Sequence, residues 1–137
     1  MRNRFLTTIT EVIKYANMSS VPQNPDMERV IAYINENISD LLPVSSLAQL
    51  CNLSVSRFKV KFSEYTGTSP HEYVLCKKIE AAKQLLANPN YSVTQVCYQL
   101  SFSSSQYFAT VFKRMTGMSP SEYKKLYAIS QYGHPWK

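Results

Sequence analysis

Cysteine and histidine are the side chains most used for nucleophilic attack and for holding transition metals, and this chain spaces them for neither. Cys51, Cys76 and Cys97 form no CxxC pair, and their odd number argues against a disulfide framework as well as a zinc site. His71 and His134 each lack a second ligand four positions on. Cys76 has only His71, five residues away, as a nearby base. The glycines, at 67, 117 and 133, are too scattered for a phosphate-cradling loop. The expectation is no catalytic residue, no metal and no cofactor.

What remains is recognition chemistry. The formal net charge of +6 is unevenly spread. Residues 1–40 carry four Lys/Arg against five acids, whereas residues 41–137 carry eleven against four. A basic segment suits a polyanion such as nucleic acid or an anionic membrane. No run approaches the roughly 18 apolar residues of a membrane span. The N-terminus has a basic pair but no long apolar stretch of the signal-peptide kind. A cytoplasmic protein with no membrane partner is expected.

The elements that position these side chains are written twice. "TGTSPHEY" at 66–73 returns as "TGMSPSEY" at 116–123. In the second copy, Ser119 and Glu122 have the S-x-x-E spacing of a capping box, with Pro120 at the first helical position. Gly117 stands where a preceding helix would end in the left-handed conformation. Gly67, Ser69, Pro70 and Glu72 repeat the arrangement, so each word stops one helix and starts the next. Upstream, Phe58 and Phe62 match Phe108 and Phe112, four apart on one helical face. Ser54 is the N-cap candidate for the first of these helices, and Ser103 or Ser104 for the second.

A shorter helix precedes each. Val44, Leu47, Ala48 and Cys51 pair with Val93, Val96, Cys97 and Leu100, both sets in the i, i+3, i+4, i+7 pattern of one buried face. Leu53 and Phe102 are apolar plugs in the following turns. Each copy therefore predicts a short helix, a tight turn and a longer helix, an arrangement whose second helix can enter a DNA major groove. Residues 69–88 predict one connecting helix with Tyr73, Ile79, Ala82, Leu85 and Leu86 toward the core, and Lys77, Lys78 and Lys83 facing solvent or serving structure. Asp26 is the expected N-cap of an earlier helix burying Met27, Val30, Ile31, Ile34 and Ile38. An apolar stripe at 3–17 predicts an extra N-terminal helix, open to three roles: packing on the domain, binding a partner, or belonging to an upstream domain.

The chain from about 24 to 127, and above all "SFSSSQYFATVFKRMTGMSPSEYKK", resembles the DNA-binding domain of AraC/XylS-type bacterial transcription regulators. The resemblance implies an all-α fold of seven core helices: two helix-turn-helix subdomains joined by a linker helix. It divides the chain into an N-terminal helix and linker (1–24), a double helix-turn-helix domain (25–127) and a tail (128–137). Within the domain the first unit spans about 25–68, the linker helix about 69–88 and the second unit about 89–127. It also implies two recognition helices in successive major-groove segments, roughly 34 Å apart. The partners implied are double-stranded DNA, RNA polymerase if the protein activates, and a second copy held through the N-terminal helix or a missing upstream domain. The alternative is a helical interaction or dimerisation module using residues 3–17.

Family positions and side-chain chemistry together name the candidate contacts. In the first recognition helix, about 55–66, Ser56, Arg57, Lys59 and Val60 fall on groove-facing positions. Lys59 or Arg57 could donate to guanine, and Val60 could touch a thymine methyl. In the second, about 104–115, the groove candidates are Ser105, Gln106, Tyr107, Ala109 and Thr110, with Gln106 suited to adenine. Ser46, Ser54, Ser92, Thr94 and Ser103, near helix N-termini, are phosphate candidates, as are Lys61, Lys113 and Arg114. The family often has arginine where Val60 and Thr110 stand, an apolar residue at Lys61, and glycine at Asn52 and Ser101. Asparagine tolerates positive φ, serine less well.

Overall fold

The computed structural model describes residues 24–131, so the stripe at 3–17 lies outside the described residues. Within them lie seven helices: α1 (Pro25–Glu36), α2 (Val44–Leu50), α3 (Val55–Thr66), α4 (Pro70–Leu86), α5 (Val93–Gln99), α6 (Ser105–Thr116) and α7 (Pro120–Gln131). Helices α1–α3 form one unit, α5–α7 a second, and α4 joins them, as expected. The last helix runs past 127.

Two apolar cores form. The first gathers Met27, Val30, Ile34, Leu47, Ala48, Phe58, Phe62 and Val74. The second gathers Leu75, Ile79, Ala82 and Leu86 of α4 with Val96, Cys97, Leu100, Phe102, Phe108, Val111 and Phe112. Val74 and Leu75 are successive residues of α4 committed to different cores, because neighbouring positions on a helix point about 100° apart. Phe58, Phe62, Phe108 and Phe112 are fully buried. Truncating any one to alanine should cost about 3–5 kcal/mol.

The repeated word has nearly the same geometry in both copies. Gly67 and Gly117 end α3 and α6 at φ +84° and +88°, in the left-handed region. The threonine before each glycine shares its hydroxyl hydrogen between two carbonyls. Thr66 Oγ1 lies 2.8 Å from Phe62 O and 3.0 Å from Thr68 O, and Thr116 Oγ1 lies 2.8 Å from Phe112 O and 3.0 Å from Met118 O. The amides of Thr68 and Met118 donate back to these hydroxyls at 3.3 Å. The tyrosine that closes each word stands edge-on to the preceding helix's phenylalanine: Tyr73 to Phe62 at 5.3 Å, Tyr123 to Phe112 at 5.4 Å.

The capping reading holds fully at Ser119–Glu122 and at Ser92–Gln95. At the linker helix it holds by half. Ser69 accepts from the Glu72 amide at 3.2 Å. The Glu72 carboxylate does not return to Ser69, because Arg114 of α6 engages both its oxygens at 2.8 and 3.3 Å. This pair keeps the Glu72 pKa below the ordinary carboxylate range. The expected cap at Asp26 is corrected to Asn24, whose side chain accepts from the Met27 amide at 3.2 Å. Pro25 takes the first helical position, where its fixed φ and missing N–H suit it. Asp26 lies in the first turn and pairs with Arg29.

Lys78 departs furthest from a surface reading. It is 5% exposed, and its ammonium donates to the carbonyls of Ile38, Asp40 and Leu100 at 2.5, 2.7 and 2.7 Å. Burial pushes its pKa down to about 8, with the Asp40 charge pulling the other way. On α7, Lys124 donates to the carbonyls of Leu86 and Asn88 at the end of α4.

Candidate nucleic-acid interface

Each helix-turn-helix is set by a turn that the residues around it dictate. After α2, the Leu53 amide donates to Ala48 O and the Asn52 amide to Gln49 O, both at 3.1 Å. After α5, the Phe102 amide donates to Cys97 O at 3.1 Å and the Ser101 amide to Tyr98 O at 3.0 Å. Both are Schellman closures, which require a left-handed residue just past the helix. That residue is Asn52 at φ +56° and Ser101 at φ +59°, the two positions where the resembling family favours glycine. The turn then delivers its plug: Phe102 is buried beside Phe108 at 4.8 Å, and Leu53 packs on the first core.

Recognition helices α3 and α6 start at Ser54 and Ser104, whose hydroxyls accept from the Arg57 and Tyr107 amides at 3.2 and 3.0 Å. With Phe58 and Phe62 inward, α3 leaves Ser56, Arg57, Lys59 and Val60 exposed, and Lys61 half-buried. Val60 is 57% exposed, an apolar side chain held in water by its position. With Phe108, Val111 and Phe112 inward, α6 leaves Ser105, Gln106, Tyr107 and Thr110 exposed and Ala109 half-buried. Ser46, Ser54, Ser92, Thr94, Ser103 and Lys113 are exposed as well.

Internal partners divide these candidates. Among the described residues, no hydrogen bond or ion pair occupies the side chains of Arg57, Lys59, Lys61, Gln106 or Lys113. Thr110 turns its hydroxyl onto its own helix, donating to Gln106 O at 2.9 Å. Tyr107 lies against the Phe102 ring at 6.0 Å, so part of its surface supports the turn. Arg114 is held by Glu72 and ties α6 to the start of α4. The hydroxyls of Ser54 and Ser92 cap helices while remaining exposed, with their hydrogens still available to an acceptor. The sequence could not show the pairing of Arg114, since its partner lies 42 residues away.

The surroundings of the three thiols raise their pKa values. Desolvation first, then the Glu72 and Glu80 carboxylates, push the Cys76 thiol pKa above its ordinary value. Burial does the same to Cys51 and Cys97. A reactive cysteine needs the opposite shift. Among the described residues no helix is long and apolar enough to cross a membrane, and no group of three metal-ligating side chains assembles.

A family model described as a helix-turn-helix domain matches residues 47–126. The chain is 31% identical over 112 residues to XylDLEGF operon transcriptional activator 2 of Pseudomonas putida, covering 80% of this chain and 71% of that protein. It is 35% identical over 100 residues to the MmsAB operon regulatory protein of Pseudomonas aeruginosa, covering 73% of this chain and 33% of the relative. Against the latter, and against the probable transcriptional regulator LumQ of Photobacterium leiognathi, it spans only 33% and 37% of the relative's length. Among solved structures, the DNA-binding domain of AdpA in complex with a target DNA superposes with a TM-score of 0.73 at 26% identity, covering 79% of this chain and 96% of that one. An AraC-type regulator from Chromobacterium violaceum superposes with a TM-score of 0.68 at 25% identity, covering 76% and 93%. With its duplicated turns, the seven helices of its described residues and these matches, the chain belongs to the AraC/XylS family of helix-turn-helix transcription regulators.

Proposed function

We propose that this chain binds double-stranded DNA sequence-specifically in transcription regulation, laying α3 and α6 into successive major-groove segments. The observation that carries this reading is the duplication itself. Each recognition helix buries two phenylalanines and turns outward polar and basic side chains that the described residues leave unpaired. Lys59 and Arg57 on α3 are the donors suited to guanine, Val60 the apolar contact for a thymine methyl, and Gln106 on α6 the bidentate partner for adenine. Lys61, Lys113 and the exposed hydroxyls at Ser46, Ser54, Ser92, Thr94 and Ser103 hold phosphates. Arg114 acts from within its pair with Glu72, orienting α6. The chain works without catalysis, in the cytoplasm where bacterial DNA lies. RNA polymerase is a further partner if the regulator activates.

The test is a fluorescence-anisotropy titration of duplexes recovered from a random pool, repeated across salt concentrations. Binding should fall on a log–log slope of about −0.9 for each phosphate neutralised. A flat salt response with no preference among duplexes would refute the proposal.

A further inference from the structure

The two apolar cores divide α4 between them, and this leaves a mechanical question. From Leu75 onward, Ile79, Ala82 and Leu86 fix the helix in the second unit. The first unit grips it through Val74, with Tyr73 packed against the same core, within the first two turns. A grip at one end of a rod leaves the body free to rotate about it. A second grip lies about 6 Å further along the axis, at the rise of 1.5 Å per residue. There the Lys78 ammonium sits between the segment that follows α1 and the end of α5. It donates to Ile38 O and Asp40 O on one side and to Leu100 O on the other. Beside it, the Ser101 hydroxyl donates to Ser39 O at 2.6 Å, crossing between the same two segments.

We infer that Lys78 and Ser101 form a polar clasp that fixes the orientation of α3 relative to α6, and with it the half-site spacing on DNA that the chain accepts. The spacing part rests on the DNA-binding reading above; the orientation part does not. Hydrogen bonds suit this task because they are directional, whereas an apolar contact tolerates sliding. An ammonium has three N–H donors, one for each of the three carbonyls it meets. Lys78 remains mostly charged at neutral pH, with its pKa at about 8, so the donor count is met. Ser101 adopts its left-handed backbone at φ +59° in the turn that also sets α6. One residue thus carries both the turn and the clasp.

The test uses the full chain with Lys78→Met, Ser101→Gly and Lys78→Arg. Ser101→Gly removes the hydroxyl while relieving the backbone, so it supplies the experiment should Lys78→Met not fold. Amide residual dipolar couplings are fitted separately for α1–α3 and α5–α7 in one aligned sample. The wild type and Lys78→Arg should give one common alignment tensor. Lys78→Met and Ser101→Gly should give two, with each unit's couplings still fitting its own fold. A common tensor in both folded variants, or in Ser101→Gly alone if Lys78→Met is unfolded, overturns the clasp.

A second arm uses a duplex selected by the wild type, with one base pair inserted between the half-sites. The insertion turns one half-site by about a tenth of a helical turn. The wild type should lose at least about tenfold in affinity, near 1.4 kcal/mol, and Ser101→Gly clearly less. Equal losses on the altered duplex contradict control of spacing. A wild type that binds no duplex refutes the DNA reading while leaving the tensor result standing.

Discussion

Asn52 and Ser101 occupy equivalent turns in the left-handed conformation, yet they do not carry equal strain. A left-handed backbone costs an ordinary residue roughly 1–2 kcal/mol, and asparagine less. Ser101 offsets its cost with the hydrogen bond to Ser39, worth about 1 kcal/mol. Ser101→Gly should therefore leave stability nearly unchanged, while Ser101→Ala keeps the strain and loses the bond, falling about 1 kcal/mol or more below the glycine variant. Urea denaturation of the two variants measures the difference. On the recognition helices, Lys59→Ala and Gln106→Ala should alter which bases are preferred, and Lys113→Ala should weaken all sites alike and reduce the salt slope by about 1. Binding to a panel of duplexes with single-base changes separates these outcomes; three equal losses would remove the division into base and phosphate contacts. At this scale the sequence was legible where chemistry is local. The phenylalanine pairs declared the buried faces of α3 and α6, so the outward-facing side chains followed by elimination. For Lys78 the sequence left solvent-facing and structural roles open, because its three acceptors lie 22 to 40 residues away.

The helices were read from signals that act within four residues, and at four serine caps those readings succeeded. Ser54, Ser69, Ser92 and Ser119 each accept from the backbone amide three positions on, as the spacing required. The Asp26 reading failed because Pro25 can occupy a first helical position, which moves the cap back to Asn24. The threonine of the repeated word joins the end of one helix to the start of the next. Thr66→Val and Thr116→Val should each cost about 1–2 kcal/mol, since either leaves an amide without its acceptor. Similar losses in thermal unfolding are expected from the matched geometry; a large loss in one and none in the other would break the equivalence of the turns. The Glu72–Arg114 pair gives a pH prediction. The folded-state pKa of Glu72 lies below its reference value of 4.5, so the pair's contribution is present above that pH. It is lost as pH falls through the lower folded value. The pair is partly exposed, so its worth is below about 1 kcal/mol. Glu72→Gln should flatten this part of the acid limb of stability, and an unchanged limb would show that the pair contributes nothing.

Across the molecule, one supersecondary unit is used twice, and a single helix holds the two copies in register. Duplication made the architecture legible: one helix–turn–helix pattern is weak evidence, but two with matched plugs, caps and left-handed turns constrain each other. The relative placement of the units was not legible, because it depends on polar contacts across the middle of α4 rather than on any repeated pattern. The central claim, that α3 and α6 each read a separate stretch of DNA, is tested most directly by recovering bound duplexes from a random pool with the wild type, Lys59→Ala and Gln106→Ala. The wild-type pool should contain two preferred blocks about one helical turn apart, with Lys59→Ala relaxing one and Gln106→Ala the other. A single block, or both substitutions relaxing the same block, would contradict it.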